Sequence, residues 1–309
     1  MLQPSVYIVV LNFNGERWLQ ACLDSLLLTN YDNLTVLVVD NASSDGSFES
    51  AKVQFPQIEY ISNPGNYGFS EGNNVGIRQA LANGADYVVL LNPDTKVEPD
   101  WLINLIKVGE SESGIGILGA VQLNYENADF NSWTKTALSQ HLNELKEADR
   151  AREWIPVDWV EGACFAVKRR VFDEIGMLDP IYFAFYEEID FCRRAACRGY
   201  QIAVAPRSLI HHYRGGSWQA DRKIKRERDY RCDRSQFIYN MTDPSKSLFG
   251  NLFRYLITLA TKGKELMADF SFARAWDLLR MQFDVMANSG RLFVKWRRER
   301  ARSRKVLAA

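Results

Sequence analysis

Cysteine is scarce in this chain of 309 residues: there are five (Cys22, Cys164, Cys192, Cys197 and Cys232) and no Cys-x-x-Cys pair. An odd number at irregular spacing excludes a disulfide framework and a cysteine zinc site, and reads as reduced thiols. Net charge is missing as well. The 38 Lys and Arg balance 38 Asp and Glu, so no global field draws the chain to nucleic acid. Long apolar runs are absent too. The best membrane-span candidate, Leu248 to Ala260, falls short of the roughly 20 residues required and is broken by Asn251 and Arg254. The first residues lead into an apolar segment with no basic, cleavable leader, so the expected location is the cytoplasm or its membrane face.

What the chain does contain is a series of short apolar runs, each ending in polar turn residues. Tyr87-Val88-Val89-Leu90-Leu91 stops at Asn92-Pro93-Asp94-Thr95. An unbroken apolar run fits a strand buried on both faces of a parallel sheet, and Pro93 cannot donate to a ladder, so the chain leaves the sheet there. Asp94 then lies just past the carboxyl end of a core strand, where open α/β sheets bind ligands. A carboxylate at such a place either caps a turn or holds a hard divalent cation.

Three earlier runs repeat the pattern: Val6 to Leu11 before Asn12-Phe13-Asn14-Gly15, Leu34 to Val39 before Asp40-Asn41, and Ile58 to Ile61 before Asn63-Pro64-Gly65-Asn66. Segments with helical apolar spacing lie between them, at Glu16 to Leu28, Ser47 to Phe55 and Ser70 to Asn83. Strands alternating with helices predict an α/β fold with a doubly wound, mostly parallel sheet. Four polar loops at one sheet edge make a crevice the size of a nucleotide. Gly114-Ile115-Gly116-Ile117-Leu118-Gly119 matches the dinucleotide fingerprint in letters, yet a helix at Trp101 to Val108 precedes it and an apolar run to Leu123 follows. Without a following helix N-terminus it reads as a glycine-rich strand.

Further on, Asn124 to Pro156 reads as a polar insertion, Trp159 to Val167 and Gln201 to Ala205 as strands, and everything beyond Asn240 as helical. The predicted organisation is a catalytic domain over 1–240, with a nucleotide-sugar half (1–123) and an acceptor half (124–240), and a basic helical extension over 241–309.

Six segments in order carry a family resemblance: Leu11-Asn12-Phe13-Asn14, Val39 to Ser47, Asn66 to Asn74, Leu91 to Thr95, Glu187-Glu188-Ile189-Asp190, and His212-Tyr213-Arg214-Gly215-Gly216-Ser217. Together they resemble the family-two glycosyltransferases of GT-A fold, in particular the rhamnosyltransferase-like branch, over Val6 to Ser217. The resemblance implies an inverting transfer from a nucleotide-diphosphate sugar, dTDP-rhamnose or a UDP-sugar, to a surface polysaccharide or lipid-linked glycan. Asp94 matches the acidic metal motif and implies Mg2+ or Mn2+, with His212 or His211 as a further ligand; Asn92 stands where the motif's first acid would be. Glu188 matches the base that takes the acceptor proton, with Glu187 and Asp190 beside it. Two adjacent carboxylates raise one another's pKa, which suits a base. The implied nucleotide-sugar-binding residues are Asn12, Asn14, Asp40, Asn41, Asp45, Asn66, Gly68, Asn73, Asn74, Asn92 and Arg194. Arg194 has two candidate partners, Asp190 and the departing diphosphate.

Two other readings are open. A nucleotidyltransferase shares the architecture but needs a basic, glycine-rich loop after the first strand, which Asn12-Phe13-Asn14-Gly15 lacks. A nucleotide-sugar or glycan-binding protein with a lapsed site is suggested by Asn92 and opposed by Asp94, Glu188 and His212 together. At the C-terminus, Leu292-Phe293-Val294-Lys295-Trp296-Arg297-Arg298 interleaves aromatic and basic residues as interfacial helices do, which allows peripheral contact with an anionic membrane.

Overall fold

A computed structural model describes residues 3–127, 129–146, 152–214, 222–268 and 271–306. Nine strands join one sheet: β1 (Val6–Asn12), β2 (Leu34–Asp40), β3 (Glu59–Ser62), β4 (Tyr87–Leu91), β5 (Thr95–Val97), β6 (Ile115–Asn124), β7 (Ile155–Pro156), β8 (Cys164–Lys168) and β9 (Gln201–His212). Their order is β3-β2-β1-β4-β8-β6-β9-β5, with β7 on β9. The pairs among β3, β2, β1 and β4 are parallel, as is β6 with β9, whereas β8 runs against both β4 and β6.

The first helices are α1 (Leu19–Leu27), α2 (Ser47–Gln54), α3 (Gly68–Ala82) and α4 (Trp101–Ser111). Next come α5 (Ser132–Ala137), α6 (Leu142–Lys146), α7 (Arg169–Ile175) and α8 (Glu187–Ala196). The last are α9 (Arg222–Met241), α10 (Leu248–Ala268), α11 (Phe272–Ala287) and α12 (Ser289–Val306).

Strand alternation splits the core into two layers. Val6, Ile8 and Val10 point to a cluster with Leu23 of α1, Phe48 of α2 and Trp101 of α4; Tyr7 and Val9 point to one with Ile77 of α3 and Phe191 of α8. Side chains buried on both faces explain why β1 and β4 read as unbroken apolar runs. Gly114 to Gly119 leads into β6, as its apolar content demanded.

Four strands differ from the sequence reading: β8 starts only at Cys164, leaving Trp159 to Ala163 outside it, and Ile155–Pro156 form β7 within the segment read as a polar insertion. β9 runs on past Ala205 to His212, because Pro206 to Ser208 are passed as a bulge where the β6 register jumps from Ala205 to Leu209. The three-residue β5 is too short to show a period, and it matters because it lies beside the end of β9.

The chain divides into two compact units. The first holds Met1–Phe183, Glu187–Ala196 and Tyr200–Gln219; the second holds Ala184–Tyr186, Cys197–Gly199 and Ala220–Ala309. In the second, α9 packs with α10 and α11. The Gly215-Gly216-Ser217 end of the last motif and part of the 124–156 insertion lie outside the described residues.

Candidate active site

The loops after β1 and β2 are tied by their own short polar side chains. Asn12 Nδ2 donates to Asp40 Oδ1 (2.8 Å), Ser43 Oγ (3.1 Å) and Ser47 Oγ (2.9 Å). Asp40 also accepts from Ser43 N (2.9 Å) and Ser43 Oγ (2.6 Å). Asn14, in the left-handed region at φ 53°, accepts from Ser44 N. Asp45 accepts from Ser47 and from Glu16 N. Partial burial pushes the Asp45 carboxyl up, but these bonds outweigh it and hold the group below the usual range.

Farther along the edge, Asn41 Nδ2 donates to Gly68 O (3.0 Å) and Asn41 Oδ1 accepts from Asn63. Asn66 Oδ1 accepts from Gly68 N at 2.8 Å. Gly68 has φ +76°, and a Cβ there would run into the Phe183 carbonyl, so only glycine fits. Asn73 donates to Phe69 O, while Asn74 exchanges two bonds with the backbone of Leu178. Asn12, Asp40, Asn41 and Asn66 therefore line one loop edge, whereas Asn73 and Asn74 tie α3 internally and to the chain before α8.

At the end of β4, Asp94 is buried and its backbone carbonyl accepts from Tyr213 N at 3.0 Å. Antiparallel pairing sets Thr95 opposite His212 and Lys96 opposite His211. Strand alternation thereby separates the two histidines. His212 Nε2 lies 3.3 Å from Asp94 Oδ1, is buried and has no hydrogen-bond partner, while Nδ1 meets Gln122 Oε1 at 3.2 Å. His211 is engaged elsewhere, with Glu98 Oε1 (2.8 Å) and Asn124 O (3.2 Å).

One oxygen and one orphaned nitrogen at that separation suit adjacent positions on a divalent ion with bonds of about 2.1 Å. No group of three His, Cys, Asp or Glu able to hold a metal occurs among the described residues; Asp94 and His212 make a pair. Small, hard ions are commonly held by one or two protein ligands plus substrate phosphates. Asn92 adjoins the pair, its backbone carbonyl accepting from Thr95 Oγ1 at 2.7 Å.

Glu161, which the sequence reading passed over, links this pair to the acids of α8. Pairing of β8 against β4 brings Ala163 O to Asn92 N (3.2 Å), so the preceding Glu161 arrives beside Asp94 and His212. Its Oε1 accepts from Arg214 Nη2 at 2.8 Å, and its buried Oε2, which has no hydrogen bond, lies 3.9 Å from His212 Nδ1.

Burial pushes the Glu188 carboxyl up to about 7, against donation from backbone N–H groups, and the Glu161 charge adds to the rise. Burial, then the Glu188 charge, pushes the Glu187 carboxyl well above the usual range too. Each has a buried Oε2 with no partner. The segment entering α8 is strained: Phe185 and Tyr186 both sit at positive φ, 70° and 68°.

Asp190 is fully buried and ion-paired to Arg193 and Arg194, each at 2.9 Å. Arg194 also donates to the carbonyls of Ile175 and Met177. Of its two candidate partners, Arg194 faces Asp190.

Two cations complete the edge. The Arg17 guanidinium lies 4.3 Å over Trp18 and 5.2 Å over Tyr213, and Lys96 Nζ 4.4 Å over Tyr125, with the three rings packed together. Neither cation was legible, because these aromatics are scattered in sequence and meet only through the pairing of β5 and β9.

A family model described as glycosyl transferase family 2 matches residues 7–176. The low-salt glycan biosynthesis hexosyltransferase Agl10 of Haloferax volcanii is 32% identical over 163 residues, 52% of either chain, so this chain's match spans about half that relative. N-acetylglucosaminyl-diphospho-decaprenol L-rhamnosyltransferase of Mycobacterium tuberculosis is 24% identical over 246 residues, 69% of this chain and 78% of the relative. The structure of mannosyltransferase PcManGT from Pyrobaculum calidifontis, in complex with GDP-Man and Mn2+, is similar at a TM-score of 0.59 and 16% identity, over 99% of this chain and 88% of that one. That last likeness concerns the fold.

Proposed function

The chain belongs to glycosyl transferase family 2 and has the GT-A fold, and from that premise we propose that it moves a sugar, with inversion, from a nucleotide-diphosphate donor to a glycan or lipid-linked acceptor. The observation that carries this reading is the run of groups Asp94–His212–Glu161–Glu188, which sets a cation-binding pair beside a carboxyl that titrates near neutrality. The donor is dTDP-rhamnose or a UDP-sugar, the former in keeping with the rhamnosyltransferase named among the relatives.

Glu188 takes the acceptor hydroxyl proton as that oxygen attacks the anomeric carbon from the face opposite the diphosphate. The bond from the anomeric carbon to the phosphate oxygen breaks, and its electron pair leaves on the nucleotide diphosphate. Asp94 and His212 would hold Mg2+ or Mn2+, which stabilises the leaving charge. Arg17 and Lys96, fixed on their aromatic rings, add positive charge at the same edge. Asp40 and Asn12 receive the base, with Asn14, Asn41 and Asn66 shaping that pocket; Asp40 Oδ2 accepts one backbone bond and has room for another. Glu187 lies beside Glu188 at the start of α8, and Arg194 with Asp190 fixes that helix.

A lipid-linked acceptor places the protein at the inner face of the cell membrane. No described helix is long and apolar enough to cross a membrane, and the contact proposed is peripheral. The test is a thermal-shift screen of nucleotide sugars with Mn2+, followed by transfer assays with the best binder. One donor should raise the melting temperature only with the metal present, and Asp94→Asn should abolish that rise. A rise unchanged in Asp94→Asn would contradict the metal assignment, and no response to any nucleotide sugar would contradict the donor class.

A further inference from the structure

The second unit carries a solvent-facing apolar stripe. Along α11, Phe272, Trp276, Leu279, Phe283 and Met286 are 85, 66, 64, 72 and 62% exposed. Their spacing of four, three, four and three residues puts them on one face, a stripe about 21 Å long at 1.5 Å per residue. The core-facing side of the helix is separately supplied by Met281 and Val285, both buried. α11 is therefore apolar on two faces, and only one is used by the fold. α10 shows the same habit, with Phe249 84% and Phe253 65% exposed. A monomer rarely leaves this much large apolar surface in water without an occupant.

Charge identifies the occupant. From residue 220 to the end the sequence has 21 Lys and Arg against 10 Asp and Glu, a net of +11. Because the whole chain sums to zero, residues 1–219 carry −11. The two acids of α11 are already engaged, Asp277 by Arg226 at 2.6 Å and Asp284 by Arg234, so they present little negative charge outward. Exposed Arg291, Arg297 and Arg298 follow on α12, the last of them ion-paired to Glu299 at 3.1 Å, in the same helix as exposed Phe293. Pairing this region with the same region of a second copy would set +11 against +11. Large exposed aromatics on one helix of a strongly basic segment suit an anionic lipid surface, where the apolar face enters the headgroup boundary.

We propose that the α11 stripe, with the basic residues of α12, docks the protein on an anionic lipid bilayer. The inference rests on the reading of a lipid-linked acceptor and names the surface that would bring the chain to it. The test is co-sedimentation of the full chain with phosphatidylcholine vesicles, with and without phosphatidylglycerol. Binding is expected only to the anionic vesicles and should weaken as salt is raised. Trp276→Ser with Phe283→Ser, both at exposed positions, should bind at least about tenfold more weakly while keeping the wild-type melting temperature. Equal pelleting of this variant, or no pelleting of the wild type, would overturn the proposal. So would light scattering showing a dimer that the variant splits, since the stripe would then be an interface between copies. Glu188→Gln should pellet like the wild type. Pelleting without transfer from any donor would leave the docking surface standing and remove the enzymatic reading; transfer to a soluble acceptor without pelleting would do the reverse.

Discussion

At the residue scale the protein turns on carboxyl groups kept short of hydrogen-bond donors. A buried carboxylate is stabilised by donors and destabilised by other carboxylates. Asp45, supplied with three, is held down; Glu188, fully buried, with an orphan oxygen and the Glu161 charge nearby, is held up to about 7. A base must be deprotonated to act, so kcat/KM should climb with pH through about 7, and an initial-rate profile from pH 5 to 9 checks this. Stability should move the opposite way. The folded pKa lies above the ordinary carboxyl value of 4.5, so the folded state binds the proton more tightly. The contribution is fully present below pH 4.5 and is lost as pH rises through about 7. Glu188→Gln, which cannot ionise, should therefore melt higher than the wild type at pH 8, by no more than about 3 kcal/mol, with the gap closing near pH 4.5. Melting curves at the two pH values decide it. A site that stabilised the ionised carboxylate would give the reverse order.

Elements decide which of these residues meet. The strand-end position of Asp94 was legible, because an apolar run stopped by Asn-Pro-Asp has few other readings. Spacing favoured His212, which fits His-x-x-Gly-Gly-Ser better than His211, but left both as candidates. They are separated by β5, whose pairing puts His212 opposite Thr95 and turns its neighbour toward Glu98. Glu161 left no trace in the sequence, since it sits in irregular chain and reaches the site through a strand pairing 70 residues away. Its link to His212 and Glu188 suggests that Glu161→Gln should lower the pKa read from the rate profile, because a neighbouring negative charge is removed; an unchanged profile would separate Glu161 from the base.

The same scale explains the one glycine that matters most. Gly68 opens α3 where the Phe183 carbonyl accepts from Phe69 N at 2.6 Å, and this contact holds the segment leading into α8. Gly68→Ala adds a Cβ at positive φ against that carbonyl, and should cost about 1–3 kcal/mol. In a domain of this size that lowers the melting temperature by roughly 2–4 °C per kcal/mol. Unchanged melting would mean the approach of the two segments is not as close as the coordinates have it.

For the whole molecule, the sheet unit carries the proposed site and the helical unit the exposed apolar stripe. The proposed Asp94–His212 site should bind Mn2+ weakly alone and more tightly with donor, since the donor's phosphates supply the remaining oxygens. Titrating Mn2+ by calorimetry with and without the donor tests this: equal affinities would mean that the ion is held by the protein alone.

The most direct measurement compares donor affinity and turnover in Glu188→Gln, with the full chain, Mn2+ and the donor found by screening. The amide keeps the shape and loses the base, so donor binding should stay within about twofold while kcat falls by about 10²–10⁴. Turnover near the wild-type rate with donor binding intact would show that the proton goes to another group, and would contradict the account at its centre.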